Sequence, residues 1–386
     1  KTQLFPPNPP KKKKKMTVAA FGLVAKGAMD NFITGDSSPA QTTYFRSAHQ
    51  KHTNFAMEHK PLQASTGAGQ STQTFTLARE ADLVHEVYVR IELPELTDGT
   101  YVDHVGFMMI ESAKVKIGGT QIDKITNHSL LMWEELTQGT TPLGAMTGKN
   151  GTGAARTLYV PLNFWFCKDI SLSLPLVSLS FHSVKIELRL ADLASITVRD
   201  AAETAITAAY SYMDKVSMVA KYIYLDKDER TKFAKGKFEI LIPQHQHAKH
   251  QCGQKFTLEF NHPVSQLLWC VTPSGNDNSS AYTQMTGAQL TLNGQNRFTE
   301  DLADDHVYFN QLIPHECYPN IPSSNVYAYP FAINPADTTQ PSGTLNFSRI
   351  DHVSFKVNGS GTVNVCGLNW NLLRYSAGMC GVVYAN

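Results

Sequence analysis

Apolar residues fall on every second position at Val87–Leu93 (Val-Tyr-Val-Arg-Ile-Glu-Leu) and again at Val184–Leu190 (Val-Lys-Ile-Glu-Leu-Arg-Leu). A period of two puts one face of an extended chain in a core and the other in water, so both stretches read as β-strands. The same pattern returns after residue 236 and runs to the C-terminus. Helical periodicity is scarce, and a parallel sheet would need regularly alternating helices. Short strands punctuated by Gly and Pro argue for antiparallel sandwiches, and 386 residues suit two of them in tandem.

Local signals divide the chain. Residues 1–40 read as irregular, with Lys11–Lys15 before Met16. A natural start at Met16, with a non-native extension ahead of it, stands beside a reading in which the lysines meet phosphates or lipid headgroups. Strands are expected from Thr42–Phe45 onward. Gly118-Gly119 between Lys114–Ile117 and Thr120–Ile122 supplies the positive φ of a tight hairpin turn. Asn127–Leu136 reads as a helix capped by Thr126 or Asn127. Residues 138–157 read as an exposed loop, and Leu158–Leu162 and Ile170–Leu190 as strands interrupted by Pro161 and Pro175.

After a strand over Lys215–Leu225, Asp226 with Glu229 three residues on resembles a capping box opening a short helix to about Ala234. The domain boundary belongs there, with Phe238–Ile242 opening the second unit. Residues 273–280 form a polar loop. Val353–Val357 and Thr362–Val365 flank Asn-Gly-Ser-Gly as a hairpin would, and the apolar phase then flips, which predicts a bulge near Cys366-Gly367.

Composition narrows the function classes. Net charge is +1, which excludes a strong global attraction to nucleic acid or anionic membrane. Only 17% of residues are charged against 42% hydrophobic, as suits a protein whose flanks are covered by neighbours. The six cysteines show no C-x-x-C pair and read as reduced core thiols of a chain that folds in a cytosol. No apolar stretch is long enough to span a membrane, and no secretory signal is visible.

Motifs for chemistry are weak. His245, His247 and His250 form the densest group of possible metal ligands, with His245 and His247 on one face of a strand. The His-x-His motif of cupin-type sandwiches wants a Glu four or five positions on, where Gln251 and Cys252 stand. Imidazoles at a polar strand end or interface are the commoner case. The phosphate-loop, dinucleotide and nucleophile-elbow patterns all fail. Trp133, Trp165, Trp269 and Trp370 lack interleaved basic residues and read as core or interface. Five Asn-x-Ser/Thr sequons occur, of which Asn278 lies in the most polar loop.

Several blocks resemble the major capsid proteins of nucleocytoplasmic large DNA viruses, the iridovirus and algal-virus type. They include Leu23–Asp30, Gly118–Lys124 with Trp133–Thr137, Tyr222–Arg230 with Phe233-Ala234, and His262-Pro263 with Trp269. The likeness ends on Tyr329–Pro335, Gln340–Gly343, Asn346–Asp351 and Arg374–Met379, all in family order.

The resemblance implies an all-β fold: two consecutive eight-stranded antiparallel jelly-roll sandwiches, with a few short helices in loops and at the junction. Its expected division is an arm over 1–40, a first roll over 41–226, a helical linker over 227–236 and a second roll over 237–386. It implies a structural, non-enzymatic protein without cofactor or metal, forming homotrimeric pseudo-hexagonal capsomers that tile the outer shell of an icosahedral virion. The implied partners are neighbouring capsomers, minor capsid proteins and, through the arm, an inner membrane, with no specific nucleic acid. Assembly in the host cytoplasm is implied as well. A minor capsid protein of the same fold and a metal- or glycan-binding sandwich are the alternatives.

Overall fold

The computed structural model describes residues 23–384 apart from residues 24, 35–43, 46, 48, 98, 139–142, 199–207, 209, 276 and 277. Lys11–Lys15, Met16 and most of the expected arm lie outside the described residues. The chain divides into two compact units, Lys1–His52 and Thr53–Asn386. The first holds one helical turn, Asp30–Thr34, opened by the Gly27 amide donating to Asp30 Oδ2 at 2.6 Å.

The second unit is built from strands that repeat one plan. Its first half contains β1 (Phe55–Leu62), β2 (Thr72–Leu77), β3 (Leu83–Leu93), β4 (Ile110–Ile117), β5 (Thr120–Thr126), β6 (Arg156–Pro161), β7 (Val184–Leu190) and β8 (Val216–Leu225). They form two sheets in the orders β1-β8-β3-β6 and β2-β7-β4-β5. The second half contains β9 (Phe238–Gln251), β10 (Lys255–Thr257), β11 (Pro263–Thr272), β12 (Gly287–Leu292), β13 (Gln295–Asn296), β14 (Val326–Pro330), β15 (Val353–Asn358) and β16 (Thr362–Ser376). Their orders are β9-β16-β11-β14 and β10-β15-β12-β13, so each strand repeats the place of the one eight before it. A last strand, β17 (Met379–Val382), folds back on β16. This is the jelly-roll topology, twice.

The local reasons are legible. β3 and β7 alternate buried and part-exposed residues as their sequence period requires. The β4–β5 turn uses Gly118 at φ 59° and Gly119 at φ 90°, which side chains with a Cβ rarely adopt. Helix α1 (Asn127–Thr137) starts with a reciprocal cap: Thr126 Oγ1 accepts from the Ser129 amide, and Ser129 Oγ accepts from the Thr126 amide at 2.8 Å. Helix α2 (Lys227–Lys235) joins the halves.

One core runs through the first roll and continues onto the facing side of the second, taking in Ile242, Leu268, Cys270, Ala328, Cys366 and Leu368. A separate core fills the second sandwich around Trp269, Phe309, Phe355, Val363 and Val365. β11 shows how one strand serves both: Leu268 and Cys270 join the shared core, while Leu267, Trp269 and Val271 join the inner one.

This double covering corrects one sequence expectation. β16 pairs with β9 in unbroken register past Cys366-Gly367, so no bulge lies there. The bulge sits across from it on β11, between Val264 and Gln266. The apolar phase flips because Val363 and Val365 face the inner core, whereas Cys366 and Leu368 face the shared one.

Other expectations also change. Asn358–Gly361 is not a hairpin turn, because β15 and β16 lie in different sheets; it is a corner between them. Gly361 there takes φ 126°, and a Cβ on it would lie 2.1 Å from the Thr272 carbonyl. Among the described residues strand structure begins at Phe55; Tyr44-Phe45 is a turn, and residues 42 and 43 lie outside the described residues. The segment 138–157 contains a helical turn, Leu143–Thr147, whose last residue is buried. Between 170 and 183 the buried leucines 172, 176 and 179 ride short 3₁₀ turns, and only Leu174–Pro175 pairs as strand. Turns can deliver alternate leucines to a core as well as a strand can. Asp226 makes no side-chain cap on α2. The six cysteines are free thiols, with Cys270, Cys366 and Cys380 buried.

Candidate assembly surfaces and the seam between the rolls

The edge strand of one roll meets the edge strand of the other, β5 against β9, and side chains bridge them. Gln244 Nε2 donates to the Ile122 carbonyl at 2.5 Å, and the His245 amide donates to Asp123 Oδ1 at 2.9 Å. His245 Nδ1 meets Asp123 Oδ2 at 3.0 Å, with both side chains almost wholly buried (3% and 0% exposed). His247 donates from Nε2 to the Lys124 carbonyl at 2.8 Å. Open strand edges invite pairing with foreign chains, and here the two edges cover each other.

Further contacts lengthen the seam. Glu135 Oε2 accepts from the Ser323 amide at 2.8 Å and its hydroxyl at 2.9 Å. His128 Nδ1 lies 3.1 Å from the Tyr282 hydroxyl. Arg230 of α2 pairs with Asp82 at 2.9 Å, and Ser178 Oγ donates to the Phe233 carbonyl at 2.7 Å. The Phe181 amide donates to the Gly378 carbonyl at 3.0 Å. The halves are thereby tied at the strand edges, at α1, at α2 and at the C-terminal hairpin.

Burial sets the electrostatics of this region. Desolvation, with His245 beside it, pushes His247 down to about 4, so the ring is neutral at pH 7. Desolvation also pushes the buried Lys168 ammonium down to about 8. That ammonium has no hydrogen-bond partner among the described residues and sits 3.9 Å from the centre of the Trp133 ring. Glu134, only 9% exposed, is pushed up to about 7 by burial and then by Glu135.

Glu134 yields a pH prediction. The folded state holds its proton more tightly than an unfolded chain does, so this group's stabilising share is complete below pH ~4.5. It is lost as pH rises through about 7. At 1.36 kcal/mol per unit the loss is about 3 kcal/mol. Glu134→Gln is therefore expected to gain about that much at pH 8 and nothing at pH 4, read by urea unfolding. An equal change at both pH values would refute the assignment. His247 works in the opposite sense, its contribution complete above pH ~6.5 and lost as pH falls through about 4.

The histidines singled out from sequence do not converge. The rings of His245 and His247 stack in parallel 6.4 Å apart, and each is engaged by the first roll. His250 instead stacks on Phe256 at 4.1 Å. Among the described residues no three His, Cys, Asp or Glu side chains are placed to hold a metal. Asn278 is half-buried, accepting from Asn127 at 3.0 Å and donating to Ser195 Oγ at 3.1 Å, so the amide a glycan would occupy is already engaged.

Asp123, Gln244 and Lys168 were missed by sequence reasoning. Nothing in their spacing marks a residue buried by a partner over a hundred positions away. Large apolar side chains also stand in solvent: Ile333 (84% exposed), Phe181 (76%) and Tyr384 (60%), with Ile321, Leu312 and Met379 near half. Such residues suit surfaces that other chains cover.

Two family models match consecutive halves of the chain. One is described as the major capsid protein N-terminus and matches residues 43–226; the other, large eukaryotic DNA virus major capsid protein, matches residues 229–381. The chain is 32% identical to the major capsid protein of Pyramimonas orientalis virus, over 94% of this chain and 98% of that one. It is 29% identical to that of Paramecium bursaria Chlorella virus 1, again over 94% and 98%. Among solved structures it is similar to PBCV-1 VP54 at a TM-score of 0.75 and 26% identity, covering 89% of this chain and all of that one. The Faustovirus major capsid protein shares the fold at a TM-score of 0.66 and 12% identity, over 90% and 96%.

Proposed function

Because this chain belongs to the family of large eukaryotic DNA virus major capsid proteins and is a structural component of the viral shell, we propose that three copies close into a pseudo-hexagonal capsomer. The observation that carries this reading is the fused seam. Two rolls of one topology, locked by a shared core and a bridged pair of strand edges, make a rigid tile with two similar halves. Three such tiles around an axis present six similar sectors to their neighbours. Stable self-association of this kind needs interfaces on the order of 2,000 Å², partly apolar, and the exposed Phe181, Ile333 and Tyr384 fit that need.

In this reading the protein works by burying surface rather than by turning over a substrate. Its functional domains are an arm over 1–40, a first roll over 41–226, a linker over 227–236 and a second roll over 237–386. Capsomers are assembled in the host cytoplasm, and minor capsid proteins and an inner membrane meet the shell from inside, the latter through the arm.

Light scattering on the purified chain tests the proposal. A stable species of three chains is expected, and a chain lacking residues 1–40 should keep that mass yet fail to close shells. A well-behaved monomer would overturn the capsomer reading, and normal shells from the truncated chain would overturn the role of the arm.

A further inference from the structure

Several lysines on the sheets have a carboxylate close by. Lys60 pairs with Glu80, Lys114 and Lys116 share Glu187, and Lys221 pairs with Glu86. One end of the seam departs from this. Lys124, at the end of β5, makes no ion pair among the described residues, and its neighbours in charge are Lys114 and Arg189. Burial first, and then those two cations, depress its pKa. In the second roll, Lys255 of β10 lies directly across from Lys356 of β15, and neither makes an ion pair among the described residues. Like charges directly opposite in a sheet destabilise it, and both side chains are exposed.

Lys124 and Lys255 border two adjoining clefts. The first, about 490 Å³, runs along the seam past Lys124, Asn127, Asn278, Asn364 and Lys249. The second, about 460 Å³, continues from Lys249 past Gln251, Gln254 and Lys255. Glu111 also lines the first, but its carboxylate is taken by Arg189 at 2.6 Å. The floor of the first cleft includes Met132, Val365 and Cys366. Cations spaced along a trough, amides between them and an apolar floor are the complement of an extended acidic peptide. The amides serve its backbone and the lysines its carboxylates. A flat lipid surface would not reach into clefts, and among the described residues lining them there is no arginine to grip phosphates, while Phe256 and His250 are stacked on each other rather than offered to a base.

We propose that the two clefts form one groove that docks an acidic peptide segment of a second virion protein. The inference rests on the shell reading above, because it supplies a reason for a partner at the seam.

Fluorescence anisotropy with the purified full-length protein tests it. The probe is a fluorescein-labelled decapeptide alternating glutamate and glycine. Sodium tripolyphosphate, phosphatidylserine vesicles and a short DNA duplex serve as competitors. Saturable binding is expected, weakened about tenfold by the double change Lys124→Gln and Lys255→Gln, as two exposed ion pairs would give. The double change Lys185→Gln and Lys227→Gln removes the same charge from exposed residues outside the clefts and should leave binding within about twofold. Circular dichroism and particle mass confirm that each variant folds.

The proposal is overturned if wild-type protein shows no saturable binding, or if both double variants bind alike. It is overturned too if tripolyphosphate, vesicles or DNA displace the peptide completely at lower concentration. Light scattering on the same samples separates the two claims. Peptide binding by a protein that remains monomeric supports the groove and counts against the capsomer, whereas trimers that ignore the peptide do the reverse.

Discussion

Asp123→Ala is expected to lower stability by about 3–5 kcal/mol, because it strips several buried donors of their shared acceptor. Its carboxylate is wholly buried and receives three donors: the amides of Lys124 and His245, each at 2.9 Å, and the His245 ring at 3.0 Å. Alanine leaves all three without an acceptor in a place that water reaches poorly. Asp123→Asn keeps one oxygen in position and should lose about half as much. For a cooperative unit the size of Thr53–Asn386 the alanine change corresponds to a midpoint lower by roughly 4–7 °C.

The loss should be concentrated at the seam. Protease cleavage near α2, which bridges the rolls through the Arg230–Asp82 pair, should accelerate in Asp123→Ala before either roll unfolds. A stability change under about 1 kcal/mol would mean that the shared apolar core, and not the polar bridge, holds the halves together.

Trp269→Ala is expected to cost a comparable ~3–5 kcal/mol, but elsewhere. The indole is completely buried on β11 and stacks edge-on against Phe355 at 5.2 Å and Phe309 at 5.4 Å, with Tyr327 at 6.0 Å. Its Nε1–H points at the Met285 sulfur at 3.3 Å. Truncation opens a cavity that three rigid aromatic neighbours cannot fill, and removes aromatic pair energies of ~0.5–1.5 kcal/mol each. Because the inner core of the second roll is separate from the shared one, amide exchange should rise in β11, β14, β15 and β16 and stay near wild type in β3 and β7. Uniform acceleration across both rolls would show that the two cores melt as one.

The strands of this protein were legible where a single face is buried. Val87–Leu93 and Val184–Leu190 alternate because one side meets the core and the other meets water, and both are strands. The Gly118-Gly119 turn and the Thr126 cap were legible for the same reason: their physics is local. Reading failed where covering comes from far away. β16 looks bulged at Cys366 only because one roll buries Val365 and the other buries Leu368. The turn at Asn358–Gly361 reads as a hairpin because a short range of residues cannot reveal that the next strand enters another sheet.

The site followed the same division. His245 and His247 stood out as a cluster, and they do share a strand face, but their partners are Asp123 and the Lys124 carbonyl, more than a hundred positions away. From residue types alone the sequence determined an all-β chain with two sandwiches, few helices and flanks poor in charge. Tertiary structure alone decided that edge strands of the two rolls seal each other and that one core crosses the junction. It also decided where unpaired lysines gather. Periodicity records which face of a segment meets water, whereas identical edge strands can be left open, paired or bridged until the chain has closed on itself.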